Sequence, residues 1–114
     1  MKVVEISANA IFIKVEHEPE FPGGTEKLYQ YLEKNLRYPS AAKENNIQGK
    51  VFVTFVVEKD GSLTGIKVKK SLSRETDAEA IRLIQASPKW NPGVLNGRAV
   101  RVQYTLPVVF ALAD

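Results

Sequence analysis

The period of the apolar positions changes along the chain, and each change predicts an element. Leu28, Tyr31, Leu32 and Leu36 recur at helical spacing, so residues 25–35 predict an amphipathic helix. Thr25 offers an N-cap, and Glu26 suits the positive end of the helix dipole. Tyr38-Pro39 stops the helix, because a residue before proline is pushed out of the α region. A second, short helix over residues 39–45 has proline in its first turn, and Asn46 stands where a left-handed C-cap is needed. Residues 51–57 read Val-Phe-Val-Thr-Phe-Val-Val. They are apolar on nearly both faces, which predicts an interior strand. Asp60-Gly61 is a hairpin turn. The return strand over 63–69 alternates Ile66 and Val68 with Lys67 and Lys69, so it is half exposed. Thr76 and Glu79 fit a capping box for a helix whose apolar stripe is Ala80, Ile81 and Ile84 and whose stop is Pro88. After turns at Trp90-Asn91-Pro92-Gly93 and Asn96-Gly97, a last strand alternates cleanly. Val100, Val102, Tyr104, Leu106, Val108 and Phe110 share one face; Arg101, Gln103 and Thr105 share the other.

Pro107 places that last strand. Proline cannot donate to a sheet ladder, so it belongs on an edge or at a bulge. The 51–57 strand is the most apolar and takes the centre, which predicts the spatial order 2-1-3. The connection from the second strand through the helix to the third is then a right-handed parallel crossover. The fold class is α+β: a small three-stranded, antiparallel-rich sheet with helices packed on one face. Residues 1–20 read as an arm, with a short β-favouring run at 11–15 broken by Glu16-His17-Glu18-Pro19-Glu20. Phe21-Pro22-Gly23-Gly24 is the turn that opens a domain over 21–114. Trp90 is expected in the core, near the entrance to the last strand and against the helix face bearing Ile81 and Ile84.

Composition narrows the chemistry. With 114 residues, 44% hydrophobic and 25% charged, the chain suits one globular domain rather than a disordered chain, a collagen or a coiled coil. No apolar run approaches the ~20 residues of a helical membrane span. Lys2 and Ala8-Asn9-Ala10 imitate a signal peptide, but Glu5 breaks an apolar region already too short. There is no cysteine, hence no disulfide, thiolate nucleophile or zinc–thiolate site, and the one histidine, His17, rules out a two-histidine metal site. A net charge of +3 is mild, and no dense basic cluster points to nucleic acid. Gly23-Gly24 lacks the spacing of a phosphate loop. Ser71 and Ser73 have no neighbouring histidine, so a small hydrolase built on His17 is disfavoured. Glu16-His17-Glu18 reads as a solvated break rather than a metal site, and Lys67, Lys69 and Lys70 as a solvated strand face. No enzyme and no cofactor are expected. What survives is a surface: an edge strand whose free N–H and C=O groups either accept a partner strand or are covered by the arm or protected by Pro107 and Arg101.

An ordered set of short motifs sharpens this reading. Pro19-Glu20-Phe21-Pro22-Gly23-Gly24, Asn35-Leu36-Arg37-Tyr38-Pro39 with Ala41-Ala42, and Ile47-Gln48-Gly49 lead to Val51, Val53 and Phe55. Asp60-Gly61, Pro88-Lys89-Trp90-Asn91-Pro92-Gly93, Asn96-Gly97 and Tyr104-Thr105-Leu106-Pro107-Val108 follow. Over residues 19–112 the chain resembles the C-terminal domain of the TonB family of energy transducers, in the form common in Bacteroidetes. Asn35 stands where enterobacterial members often carry glutamine, and Asn46 where many relatives carry glycine. The resemblance implies a periplasmic domain that captures the TonB box of outer-membrane transporters as a strand added beside its last strand. An inner-membrane, proton-driven motor supplies force for nutrient uptake through an anchored N-terminal part; its absence here favours an excised domain. The implied partner-binding residues are Asn35, Arg37, Tyr38, Arg101, Val102, Gln103, Tyr104 and Thr105. A homodimer is also compatible with such an edge. The alternative keeps the fold but makes it a ligand-binding module of a membrane-anchored, peptidase-type sensor.

Overall fold

The structure is a computed structural model and describes residues 9–113. Its elements are β1 (Ile11–Phe12), α1 (Thr25–Asn35), α2 (Ser40–Glu44), β2 (Gly49–Val57), β3 (Leu63–Lys70), α3 (Arg74–Gln85), β4 (Gly93–Leu95) and β5 (Arg98–Phe110). The sheet order is β1-β5-β2-β3, with β4 also paired to β5. The three long strands thus lie as the sequence predicts, with β2 central and antiparallel to both neighbours. Two short strands complete the sheet, and one of them, β1, runs parallel to β5. β1 falls at the start of the β-favouring run read at 11–15, whereas β4 escapes sequence reading because three residues carry no alternation.

The register between β2 and β5 is unbroken from Gly49↔Phe110 to Val57↔Val102. The core forms on the face this register selects. Val51, Val53, Phe55 and Val57 meet Leu106, Val108 and Phe110, with Leu28 and Leu32 of α1 and Ala80, Leu83 and Ile84 of α3 closing over them. The β2–β3 pairing is less regular, with shifts between Phe52 and Val53 and between Thr54 and Val56.

Two helix caps differ from expectation. Thr25 is the first residue of α1 rather than its cap; Gly24 precedes it with a positive φ and no side-chain cap bond. In α3 the capping box belongs to Ser73 and Thr76, not to Thr76 and Glu79. The Thr76 hydroxyl plays the role a glutamate or glutamine usually plays. The helix therefore starts at Arg74, which turns Glu79 inward.

Trp90 is in the core, 3% exposed. The sequence pointed to an aliphatic helix face, but the ring sits among aromatics: Tyr104 at 5.1 Å, Phe55 at 5.3 Å and Phe21 at 5.8 Å, all edge-on. Its backbone N–H donates to Gly61 O at 2.9 Å. A Cβ on Gly61 would fall 2.0 Å from the Trp90 carbonyl, and its φ of +87° is already in the glycine region. The β2–β3 turn and the Trp90 segment are therefore locked together. Trp90→Ala should lower stability by ~3–5 kcal/mol. At a urea slope of about 1–3 kcal/mol per molar, the denaturation midpoint should fall by about one molar or more. An unchanged midpoint would show that the ring contributes nothing to the core.

Candidate functional site

The backbone polarity of β5 follows from β2. Glu58 N–H donates to Ser62 O in the β2–β3 hairpin, so the N–H of Glu58 points toward β3. Strand groups alternate, so Val57, Phe55, Val53, Val51 and Gly49 direct theirs toward β5. Their partners Val102, Tyr104, Leu106, Val108 and Phe110 direct theirs back. The outward groups of β5 are therefore those of Arg101, Gln103, Thr105, Pro107 and Val109. Pro107 fits this parity, since its missing N–H falls on the outer side.

The outer edge is covered at one end. β1 pairs Ile11 with Arg101 and Phe12 with Val102. The arm continues past it: His17 exchanges two backbone hydrogen bonds with Val94, and Glu20 does the same with Asn91. The Glu16 carboxylate accepts the Asn96 N–H at 2.5 Å. The acidic break thus holds the arm to β4 and to the Asn96-Gly97 turn. Beyond Val102, no strand among the described residues pairs with the outer edge of β5.

The expected binding residues divide sharply. The side chains of Gln103 and Thr105 are exposed; Gln103 N–H closes the parallel ladder with Phe12, and Thr105 lies on the unpaired edge. Val102 is fully buried, and Tyr104 is half-buried against Phe55 and Trp90. Their backbone polar groups face β2, so neither residue offers a side chain or a hydrogen bond to the outer edge. Burial raises the Tyr104 phenol above its ordinary pKa, and the nearby Tyr29 and Glu18 add to this. Arg101 is engaged within the chain. Its Nε meets Glu58 Oε1 at 2.7 Å, and its Nη1 donates to Asn9 O at 2.8 Å. The guanidinium hydrogen bond, then that of Thr64, holds the Glu58 carboxyl below its usual range.

The second group, Asn35, Arg37 and Tyr38, lies near the other end of β5. Tyr38 stacks edge-on against Phe110 at 5.6 Å and its hydroxyl donates to Ile47 O. The Arg37 backbone N–H donates to Glu79 Oε2 at 2.6 Å, and Asn35 O accepts from Arg82 Nη2 at 2.9 Å. The two predicted groups are thus separated along β5 rather than merged. The exposed edge between them was not among the predicted residues. There a groove of about 370 Å³ runs between α1 and β5, with Tyr29, Leu36, Pro107 and Val109 on its walls. A sequence signal existed: Pro107 and Val109 fall on the outward parity of Gln103 and Thr105.

Glu79 anchors this end. It is 8% exposed and receives Arg82 Nε at 2.6 Å and Arg82 Nη2 at 2.7 Å, beside the Arg37 N–H. Burial alone would raise its pKa, but the Arg82 and Arg37 hydrogen bonds and charges outweigh it, and the net shift is downward.

These features define a small α+β domain whose distinctive surface is the half-open edge of a long C-terminal strand. The chain belongs to the Gram-negative bacterial TonB protein C-terminal family, whose model matches residues 34–112. Protein TonB of Haemophilus influenzae is 39% identical over 79 residues, 66% of this chain and 29% of that protein. Protein TonB of Xanthomonas campestris pv. campestris is 35% identical over 78 residues, 67% of this chain and 34% of that protein. The chain therefore spans about a third of the length of these relatives. Two NMR solution structures of Helicobacter pylori TonB-CTD superpose with TM-scores of 0.59 and 0.60 at 26% identity. Each match covers 78% of this chain, and 80% and 94% of the respective fragments.

A carboxylate with a depressed folded-state pKa stabilises the fold above its unfolded pKa, and that stability is lost as pH falls through the folded value. Glu79→Gln should therefore be less stable than the parent at pH 7, with the gap closing as pH falls below the ordinary glutamate value of about 4.3. Thermal melts of both proteins from pH 7 to pH 3 check this. A gap that does not change with pH would mean that the charge on Glu79 is irrelevant.

Proposed function

We propose that this domain is the periplasmic, force-coupling part of a membrane-anchored TonB energy transducer. It engages the TonB box of outer-membrane transporters by β-strand addition at Gln103–Thr105 and beyond, and an inner-membrane, proton-driven motor acts through the rest of the protein. The observation that carries this reading is the unpaired outer edge of β5 past Val102. Family membership supports it independently. Each backbone hydrogen bond in such an added strand contributes about 0.5–1.5 kcal/mol net, offset by ordering the peptide. Affinity should therefore be modest, roughly micromolar. The side chains of Val102 and Tyr104 serve the core, so partner choice falls to exposed positions such as Gln103 and Thr105. The same edge would accept β5 of a second copy, and a homodimer would then compete with peptide.

Thr105→Pro tests this reading, because proline removes an outward N–H and leaves the inner ladder to β2 intact. The variant should keep its melting behaviour and lose binding to a transporter's N-terminal peptide in calorimetric titration. Normal binding by a folded Thr105→Pro would exclude pairing at this edge. Arg101→Ala should change affinity only a few-fold, as its guanidinium is held by Glu58 and Asn9.

The arm supplies a second test. A peptide long enough to reach Arg101 must displace Ile11–Phe12, which benefits from a high effective concentration, of order millimolar for a short tether. Deleting residues 1–13 removes β1 and keeps the His17 and Glu20 bridges. Affinity for a long peptide should rise several-fold, while that for a short one confined to 105–109 stays constant. Equal affinities of the long peptide for the two forms would show that it never reaches Arg101.

A further inference from the structure

We infer that the outer edge of β3, together with the cavity beside it, is a second binding site, and that its occupant is an extended polypeptide segment in which acidic and aliphatic residues alternate. This site lies at the opposite edge of the sheet from β5 and does not depend on what β5 binds.

The backbone supplies the first support. β3 ends the sheet, so its outer side has no strand neighbour among the described residues. Glu58 N–H donates to Ser62 O, and the even-numbered residues of β2 direct their backbone groups toward β3. Thr54 pairs with Lys67, so the groups of Lys67 point inward and those of Ile66 beside it point outward. Leu63 and Val68 pair with Val57 and Val53, whose groups serve β5. Leu63, Ile66 and Val68 therefore offer N–H and C=O groups to the outer side, and no backbone outside the sheet bonds to them.

The second support is a cavity of about 500 Å³ along the same edge. Leu63 and Ile66 line it from the strand, and Ile84, Pro88 and Lys89 from the end of α3 and the segment after it. Ile66 and Val68 pack against the core cluster, so a residue directly opposite either one points to the helix side. Opposite Ile66 that side is the cavity. Its walls of Ile66, Ile84 and Pro88 suit an aliphatic side chain.

Charge selects the rest of the occupant. The five strands carry Lys50, Lys67, Lys69, Lys70, Arg98 and Arg101 and no acidic residue. Three of these six cations sit in β3. Lys67 and Lys69 have no ion pair among the described residues, and Lys89 reaches only Asp60, at 3.8 Å between two exposed side chains. Lys67 shares the open face of the sheet with Thr54. A residue opposite Lys67 lies on that face too, where an acid fits, and the pleat then dictates the alternation. Lysines on an edge also deter self-pairing. A second copy would set lysine against lysine, so the same feature that excludes this protein's own β3 admits an acidic strand.

The test uses the full 114-residue chain and a synthetic, terminally blocked peptide of about ten residues alternating glutamate and valine. The controls are a peptide of the same composition with all glutamates before the valines, and one alternating lysine and valine. In amide chemical-shift titrations the alternating acidic peptide should perturb Leu63, Ile66 and Val68 and leave Thr105 and Val109 unmoved. Both controls should bind about tenfold more weakly or worse. The double variant Lys67→Glu, Lys69→Glu changes exposed side chains only, and thermal melts will show that its fold is kept. It should bind the acidic peptide about tenfold more weakly and gain affinity for the lysine–valine peptide. A damaged fold cannot produce that exchange of preference. Equal binding of the blockwise peptide would overturn the site by showing that net charge alone is read. No binding, or shifts centred on Thr105 and Val109 or on Phe52, Thr54 and Val56 of the open sheet face, would overturn it as well. Concentration-dependent shifts of Leu63, Ile66 and Val68 without peptide would make a second copy the occupant and contradict the charge argument.

Discussion

Everything outside the core of this domain depends on the register between β2 and β5. That ladder fixes which side chains of β5 enter the core, and in the same stroke which of its backbone groups remain outside. Val102, Leu106, Val108 and Phe110 are consumed by packing. The outward N–H of Gln103 goes to Phe12 in the parallel ladder, and the outward groups of Thr105 and Val109 are left over as a consequence. A one-residue slip would exchange the two sets, exposing the apolar face and placing Pro107 where the inner ladder needs a donor. Pro107 is tolerated only in the observed register, so it reinforces that register while interrupting the outer donor row.

The rest of the chain holds this strand in place and covers part of its edge. The aromatic cluster of Trp90, Phe55, Tyr104 and Phe21 ties β2 and β5 to the start of the domain. Glycine at 61 lets the β2–β3 turn press against the Trp90 carbonyl. At the other end, Glu79 binds the backbone of Arg37 and the guanidinium of Arg82, which itself holds Asn35 O. That clasp fixes the exit of α1, and hence Leu36 on the groove wall. The arm then occupies Arg101 and Val102 and stops. The open portion of the edge thus lies between a short parallel strand and a groove.

Much of this was legible in the sequence. Residues 51–57 and 100–110 carried enough alternation to place both strands and the order of the long three, and Pro107 identified the outer edge correctly. The membership in the TonB family was legible from ordered turn motifs. What escaped had physical reasons. β1 lies in the β-favouring run read at 11–15, but its pairing partner carried no signal, and β4 is too short to show a period. Ser73 was overlooked as a cap because its box partner is a threonine. Glu79 read as a cap residue when it is a buried clasp. Gln103 and Thr105 were read as edge residues, whereas the groove was not foreseen. It arises from α1 and the far end of β5, which no local pattern brings together.

Amide hydrogen exchange along β5 tests the central claim most directly. In the free protein the amides of Thr105 and Val109 should exchange rapidly, while those of Tyr104, Leu106 and Val108, bonded toward β2, exchange slowly. Addition of a binding transporter peptide should slow Thr105 selectively. Slow exchange at Thr105 and Val109 in the free protein, or peptide-induced protection confined to the β3 edge around Lys67 and Lys69, would contradict an open edge on the outer side of β5.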